Sequence, residues 1–447
     1  MKKVVIIIIS IVLAILAISI GAIYFIDSNL KLKSIKVVNY DSEKEMVTIS
    51  VEKEKGILFS KKFKCSAIDG ENIVSVDGSK NKCEISIPIE KNYKIVLSNK
   101  NKKSKEYVLT DYVDNRIDFK FQSEVIYLAL EEEANINYID RYIVNESNPS
   151  YTFISGDEKI VKIVDNKLVG VSAGTTTVKE STSEEELEVI VTDLIIKPTT
   201  TDRAEIIPCN KYNDEENALL DKILESKVNE AGYKTRAGAV AAARFLTLQF
   251  PYRIPYFYEN GRLADGGINY VDGEGRYYHK GLYLSQIKKN DIVATFSGPS
   301  IWGCPLCNWE DDPYFGYVEG RMKPNGLDCS GFVSWALVNG GFDPGDIGAG
   351  ETPDAYQMTD LGEFVKLDSE ILESGRIKVG DLFNYWGHIS IIIGYDGEYY
   401  YVAESLPDFD GADVRIYNHE EALDMFRYVV LMDAFYKEDG NYSEMWN

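Results

Sequence analysis

The sequence predicts a multidomain chain: an N-terminal transmembrane helix, two all-β sandwich domains, and a C-terminal α+β domain. Three observations predict it. An uncharged run from Val4 to Ile26 follows Met1-Lys2-Lys3. β-branched, alternating segments between polar turns fill the chain to about residue 195. Beyond residue 213, helical periodicity comes first and a strand hairpin later. The expected boundaries are 1–30 for a cytoplasmic stub and anchor, 31–122 and 123–195 for the β domains, 196–212 for a linker, and 213–447 for the last domain.

Val4 to Ile26 spans 23 residues, enough to cross a bilayer as a helix. Lys2 and Lys3 favour the cytoplasmic side, so the remainder is expected outside a cell membrane. A cleaved signal peptide is the alternative, but its apolar region is usually only about 7–15 residues long. The 447-residue chain is 45% apolar and 27% charged, a globular composition. Its net charge of -23 gives no electrostatic reason to bind nucleic acid, and none to seek anionic wall polymers.

In the first β domain, Ile35–Val38, Met46–Val51, Cys83–Ile87 and Tyr93–Leu97 read as strands. Cys65 and Cys83 are placed to form a disulfide within it. In the second, Tyr151 to Asp165 runs on to Leu168-Val169-Gly170-Val171-Ser172-Ala173-Gly174-Thr175. This stretch resembles the bacterial Ig-like group 2 domain, which implies a spacer or an adhesion module. Pro198 and Pro208 mark the linker.

After the linker, Asn213 or Asp214 caps a helix carrying Leu219, Leu220 and Ile223-Leu224, and an Ala-rich helix runs from about Arg236 to Leu248. Residues 251–325 read as long aromatic surface loops that could line a groove. Cys304-x-x-Cys307 is half of a zinc-type pair with no second half, so no metal is implied; a local disulfide or two free thiols remain open. No other cofactor is implied.

The stretch Gly326-Leu327-Asp328-Cys329-Ser330-Gly331-Phe332-Val333 organises the last domain. Asp328 can cap a helix whose buried face is Phe332, Val333, Ala336 and Leu337, with Asn339-Gly340-Gly341 as its stop. Cys329 then lies in the first turn, where the helix dipole favours thiolate. Its base must be one of three histidines: His279, His388 or His419. His279 lies in a Tyr-rich loop, and His419 at a helix start. His388 opens the apolar strand Ile389–Gly394 directly after Trp386-Gly387, a good place for a base. A three-residue loop with Gly397 left-handed pairs Gly394 with Glu398 and sets Glu404 opposite His388; a two-residue turn at Asp396-Gly397 points Glu404 to the other face.

The blocks at 326–333, Val379-Gly380-Asp381-Leu382 and Gly387-His388-Ile389-Ser390-Ile391-Ile392-Ile393-Gly394 resemble those of NlpC/P60 cysteine peptidases. The resemblance implies a papain-like fold with Cys329 as nucleophile, His388 as base and Glu404 as the orienting group, a position more commonly His. Asp381 reads as structural. The family also implies a tyrosine at the oxyanion site; Tyr256 and Tyr317 are the candidates, with Tyr256 preferred. The implied substrate is the peptidoglycan stem peptide, cut between D-glutamyl and a diamino acid. The alternatives are an amidase, a transglutaminase-like cysteine enzyme, or a non-catalytic surface adhesion protein.

Overall fold

In the computed structural model of the protein, the described residues are 9–19, 30–54, 62–100, 102–144, 150–200, 205–257, 280–287, 300–308, 311, 318–344, 349 and 358–446. They form two compact units: 1–122 with 137–152 and 180–185, and 123–136 with 153–179 and 186–447.

The first unit holds a three-stranded sheet, ordered Leu32–Asp41, Met46–Lys53, Lys82–Pro88, and a four-stranded sheet, ordered Asn72–Gly78, Phe63–Asp69, Lys94–Ser98, Tyr107–Val108. Alternation in each strand sends Val47, Ile49, Val51, Ile85 and Ile87 into one core with Cys65, Ala67, Ile95 and Leu97. The disulfide Cys65–Cys83 joins the two sheets. Closing a loop of this separation, 18 residues, contributes about 3 kcal/mol.

In the second unit, a six-stranded antiparallel sheet runs in the order Glu363–Lys366, Tyr428–Leu431, Leu382–Tyr385, His388–Tyr395, Tyr399–Leu406, Gly411–Asn418. The helices Arg236–Arg244 and Cys329–Asn339 share one core with Ile389, Ile391 and Ile393 of this sheet. On the opposite alternation, Ile392, Val402 and Phe383 join a second core with Tyr417 and Phe426. The helix Asp214–Ala231 begins in a capping box: Asn213 accepts from the Glu216 N–H, and Glu216 accepts from the Asn213 N–H.

This architecture corrects the expected one of a membrane helix, two Ig-like sandwiches and a papain-like α+β domain. The described residues are mostly β-sheet with few helices. Residues 137–152 and 180–185 group with the first unit, so residues 123–195 do not close on themselves. In the C-terminal half the sheet dominates, and its outer strands Glu363–Lys366 and Gly411–Asn418 carried no sequence expectation.

The transmembrane helix and the single-pass membrane location are corrected as well. Among the described residues no helix is long and apolar enough to cross a membrane. The helical residues 9–19 rise about 16 Å, roughly half of a hydrocarbon core. The rest of the apolar run lies outside the described residues.

Candidate active site

Cys329 opens the helix Cys329–Asn339. Asp328 is its N-cap, extended at φ -83°, and its Oδ1 accepts the Gly331 N–H at 2.6 Å. The expected apolar positions Phe332, Val333, Ala336 and Leu337 are buried, and so are Ser330, Ser334, Trp335 and Asn339, so the helix is enclosed on nearly every side rather than on one face. That enclosure holds the helix in place, and with it the thiol.

Cys329 is the free cysteine found among the described residues, and it is 7% exposed. Its Sγ donates to the Gly387 carbonyl at 3.8 Å, one residue before His388. Burial pushes the thiol up to about 12, and the Asp328 carboxylate adds to the rise; the N–H groups of Ile389, Ser330 and Cys329 pull the other way. The sequence argument favours thiolate, and here burial wins. A helix N-terminus stabilises an anion by about 0.3–1 kcal/mol. Burying an anion costs about 4 kcal/mol or more.

His388 begins its strand after a two-residue turn, Trp386-Gly387, in which Tyr385 pairs with His388 and Gly387 takes φ 80°. His388 Nε2 and Glu404 Oε2 lie 2.7 Å apart, with both side chains buried. Nδ1 takes no part in this contact. Asn384 Nδ2 donates to the His388 carbonyl at 2.9 Å, and the Tyr385 ring lies 4.8 Å from the imidazole.

Glu404 is fully buried. Its second oxygen, Oε1, accepts from the Tyr417 hydroxyl at 3.0 Å and lies 3.8 Å from Arg415 Nε. Burial and then the Glu404 charge raise the Tyr417 phenol above its ordinary value. Tyr417 and Arg415 were not singled out from the sequence. Their signal was the pairing of Tyr399–Leu406 with Gly411–Asn418, which sets Tyr400 opposite Tyr417 and Val402 opposite Arg415, on the face of Glu404.

The hairpin register differs from the expected one. Asp396 N–H donates to the Tyr399 carbonyl, so Gly397-Glu398 form a two-residue turn, with Gly397 left-handed at φ 97°. Asp396 Oδ1 accepts from both Glu398 and Tyr399 N–H groups, which fixes this turn. Near the turn Tyr395 pairs with Tyr400 and Gly394 with Tyr401; beyond an irregularity, Ile392 pairs with Val402 and Ile391 with Ala403. The extra residue, Ile393, restores the parity that the turn had reversed. His388 and Glu404 are therefore diagonal neighbours on one face, within reach of long side chains.

Of the two oxyanion candidates, Tyr317 lies outside the described residues, as does His279. Tyr256 is half-buried beside the nucleophile stretch. Leu327 N–H donates to the Pro255 carbonyl at 2.9 Å, Phe257 N–H to the Leu327 carbonyl at 3.4 Å, and Tyr256 N–H to the Asp410 carbonyl at 3.0 Å. Gly326 and Gly411 allow this: a Cβ on either would collide with the backbone of residues 254–255.

His419 stands apart from the site. It begins the helix His419–Met425 after the Asn418 capping box and stacks on Tyr395 and Tyr400. Cys304 pairs with Cys209, a disulfide across 95 positions that the Cys304-x-x-Cys307 spacing concealed.

No protein-family model matches the chain, and no curated protein matches it. Among solved structures, the chain is similar to domains 4 and 5 of the S-layer protein SbsC, with 13% identity and a TM-score of 0.16, over 36% of this chain and 99% of that one. A likeness at that TM-score carries no argument about fold or function. None of these comparisons shows an NlpC/P60 domain.

Proposed function

We propose that the protein is a cysteine hydrolase of NlpC/P60-like chemistry that cleaves peptidoglycan stem peptides. Cys329 is the nucleophile, His388 the general base and Glu404 the group that orients the imidazole. The observation that carries the reading is the buried 2.7 Å contact of His388 with Glu404, with the free thiol of Cys329 bonded to the carbonyl of the residue before His388. The substrate rests on the sequence blocks around Cys329, Asp381 and His388.

The resting thiol is neutral and bonded to the Gly387 carbonyl. Catalysis then needs its proton to pass to His388 as the sulfur attacks a peptide carbonyl. The Cys329 N–H and the Tyr256 hydroxyl are the candidate oxyanion donors. His388 gives the proton to the leaving amine, and water releases the acyl group.

The non-catalytic adhesion reading has one observation in its favour, the raised thiol pKa. Incubation of the full chain and its Cys329→Ala variant with peptidoglycan, followed by mass spectrometry of released fragments, separates the readings. Stem-peptide cleavage by the wild type alone supports the proposal. Cleavage at the glycan–peptide amide makes the protein an amidase, and equal cleavage by both chains removes Cys329 as nucleophile. No cleavage by either leaves the adhesion reading.

A further inference from the structure

The chain carries a net charge of -23, yet one groove on its first unit is basic. The groove encloses about 710 Å³, and among the described residues its lining includes Lys62, Lys64, Lys80 and Lys100, with Asp77 as the one carboxylate. Strand register brings these residues together. Phe63–Asp69 is an inner strand, and its start pairs with the ends of both neighbours: Phe63 with Gly78, Lys64 with Asp77, and Lys64 with Ser98. Three segments separated in sequence thus deliver their lysines to one end of one sheet. Phe63 is buried and lies against Gly78, where a Cβ would strike its ring.

We propose that this groove binds a linear phosphodiester polymer with a polyol backbone. Among the described lining residues, lysines from three separate segments outnumber the single carboxylate, and their spread along an open groove suits repeated anions better than a single one. Lysines supply point charges with rotatable donors, which suit phosphate and do not select the planar fork of a carboxylate. Single-stranded nucleic acid sites add exposed aromatic platforms for the bases. Among the described lining residues the aromatic one, Phe63, is buried, so these residues can read backbone charge but offer no platform to a base. Because screening confines charge effects to about 8–10 Å, a local basic groove works despite the acidic whole. This site does not depend on the hydrolase reading.

The test measures binding of labelled poly(glycerol phosphate) to the full chain and to the Cys329→Ala variant at 50 mM and 200 mM salt. Both should bind alike, and both should weaken as salt rises. Lys64→Glu/Lys100→Glu should weaken binding at least about tenfold at 50 mM salt, and Lys64→Arg/Lys100→Arg should retain it. Lys36→Glu/Lys120→Glu changes net charge equally within the same unit, at residues that do not line the groove, and should leave binding nearly intact. Unchanged melting and circular dichroism show that the variants fold. The proposal is overturned by no binding at 50 mM salt, by equal loss in both glutamate variants, or by tighter binding of a single-stranded oligonucleotide or of anionic lipid vesicles.

Discussion

Two charged clusters, each centred on a buried ion pair, border the same six-stranded sheet, and they differ in what they leave unused. In the first, Arg236 is completely buried and donates to Asp381 Oδ1 at 2.8 Å, to Asp439 Oδ1 at 3.0 Å, to the Val379 carbonyl, and to Asp433. Asp381 also accepts from the N–H groups of Met432 and Lys378, both at 2.9 Å. Burial raises its carboxyl pKa, against the opposing pull of Arg236. In the second, Glu404 has each oxygen occupied, by His388 and by Tyr417, but His388 meets Glu404 through one nitrogen only. A cluster whose charges are all answered fixes strands and helix termini. The second leaves one imidazole nitrogen outside its contact with Glu404, and the proposed hydrolysis would use that nitrogen for the proton of Cys329.

The comparison is tested first at its reactive end. Cys329→Ala should lower stem-peptide hydrolysis by at least about 10³-fold while the melting temperature changes little. Loss of folding together with activity would show that Cys329 is mainly a packing residue. At the structural end the pattern inverts. Asp381→Ala leaves the Arg236 guanidinium buried with its best partner gone, and should cost about 3–5 kcal/mol in denaturant unfolding. Activity per folded molecule should survive. A variant of normal stability would mean that Asp433 and Asp439 suffice for Arg236.

Glu404→Gln lies between these. The amide keeps the volume but can donate to Nε2, which favours the wrong imidazole tautomer. Activity should fall about 10²-fold or more, with a shift in the pH–rate profile. Tyr417→Phe removes one hydrogen bond to Glu404 and should cost about 1 kcal/mol of stability. Its effect on rate should be smaller than that of Glu404→Gln; a larger one would make Tyr417, rather than Glu404, the main support of His388.

How much of this was legible in the sequence follows from range. The helix at Cys329 was legible because the cap Asp328 and the apolar spacing lie within a few residues. The strand at His388 was legible for the same reason, and the turn glycine, Gly397, was recognised as left-handed. The register was not, because a single extra residue at Ile393 leaves no mark on an isoleucine run. Tyr417 and Arg415 stayed hidden because Gly411–Asn418 was not assigned as a strand, so no pairing led to them. Cys209–Cys304 stayed hidden because its ends are 95 positions apart. The charge state of the thiol was misjudged for a related reason: the dipole is local and readable, whereas the burial that outweighs it is built by the whole domain.

That last point gives the most specific prediction. An unfolded cysteine loses its proton near pH 8.5, whereas folding pushes Cys329 up to about 12. Between these values the folded chain holds a proton that the unfolded chain has released. Stability from this group is therefore complete below about pH 8.5 and falls as pH rises through the window, by about 1.4 kcal/mol per pH unit where the proton difference is full. Comparing the wild type with Cys329→Ala isolates this slope from the tyrosines, which titrate in both chains. The wild type should lose stability more steeply between pH 9 and 11, and iodoacetamide should label its free thiol slowly at pH 7.5. Fast labelling of the native chain, with parallel stability curves, would mean that the dipole and His388 already hold Cys329 as thiolate, and that the reactive cluster is charged before substrate arrives.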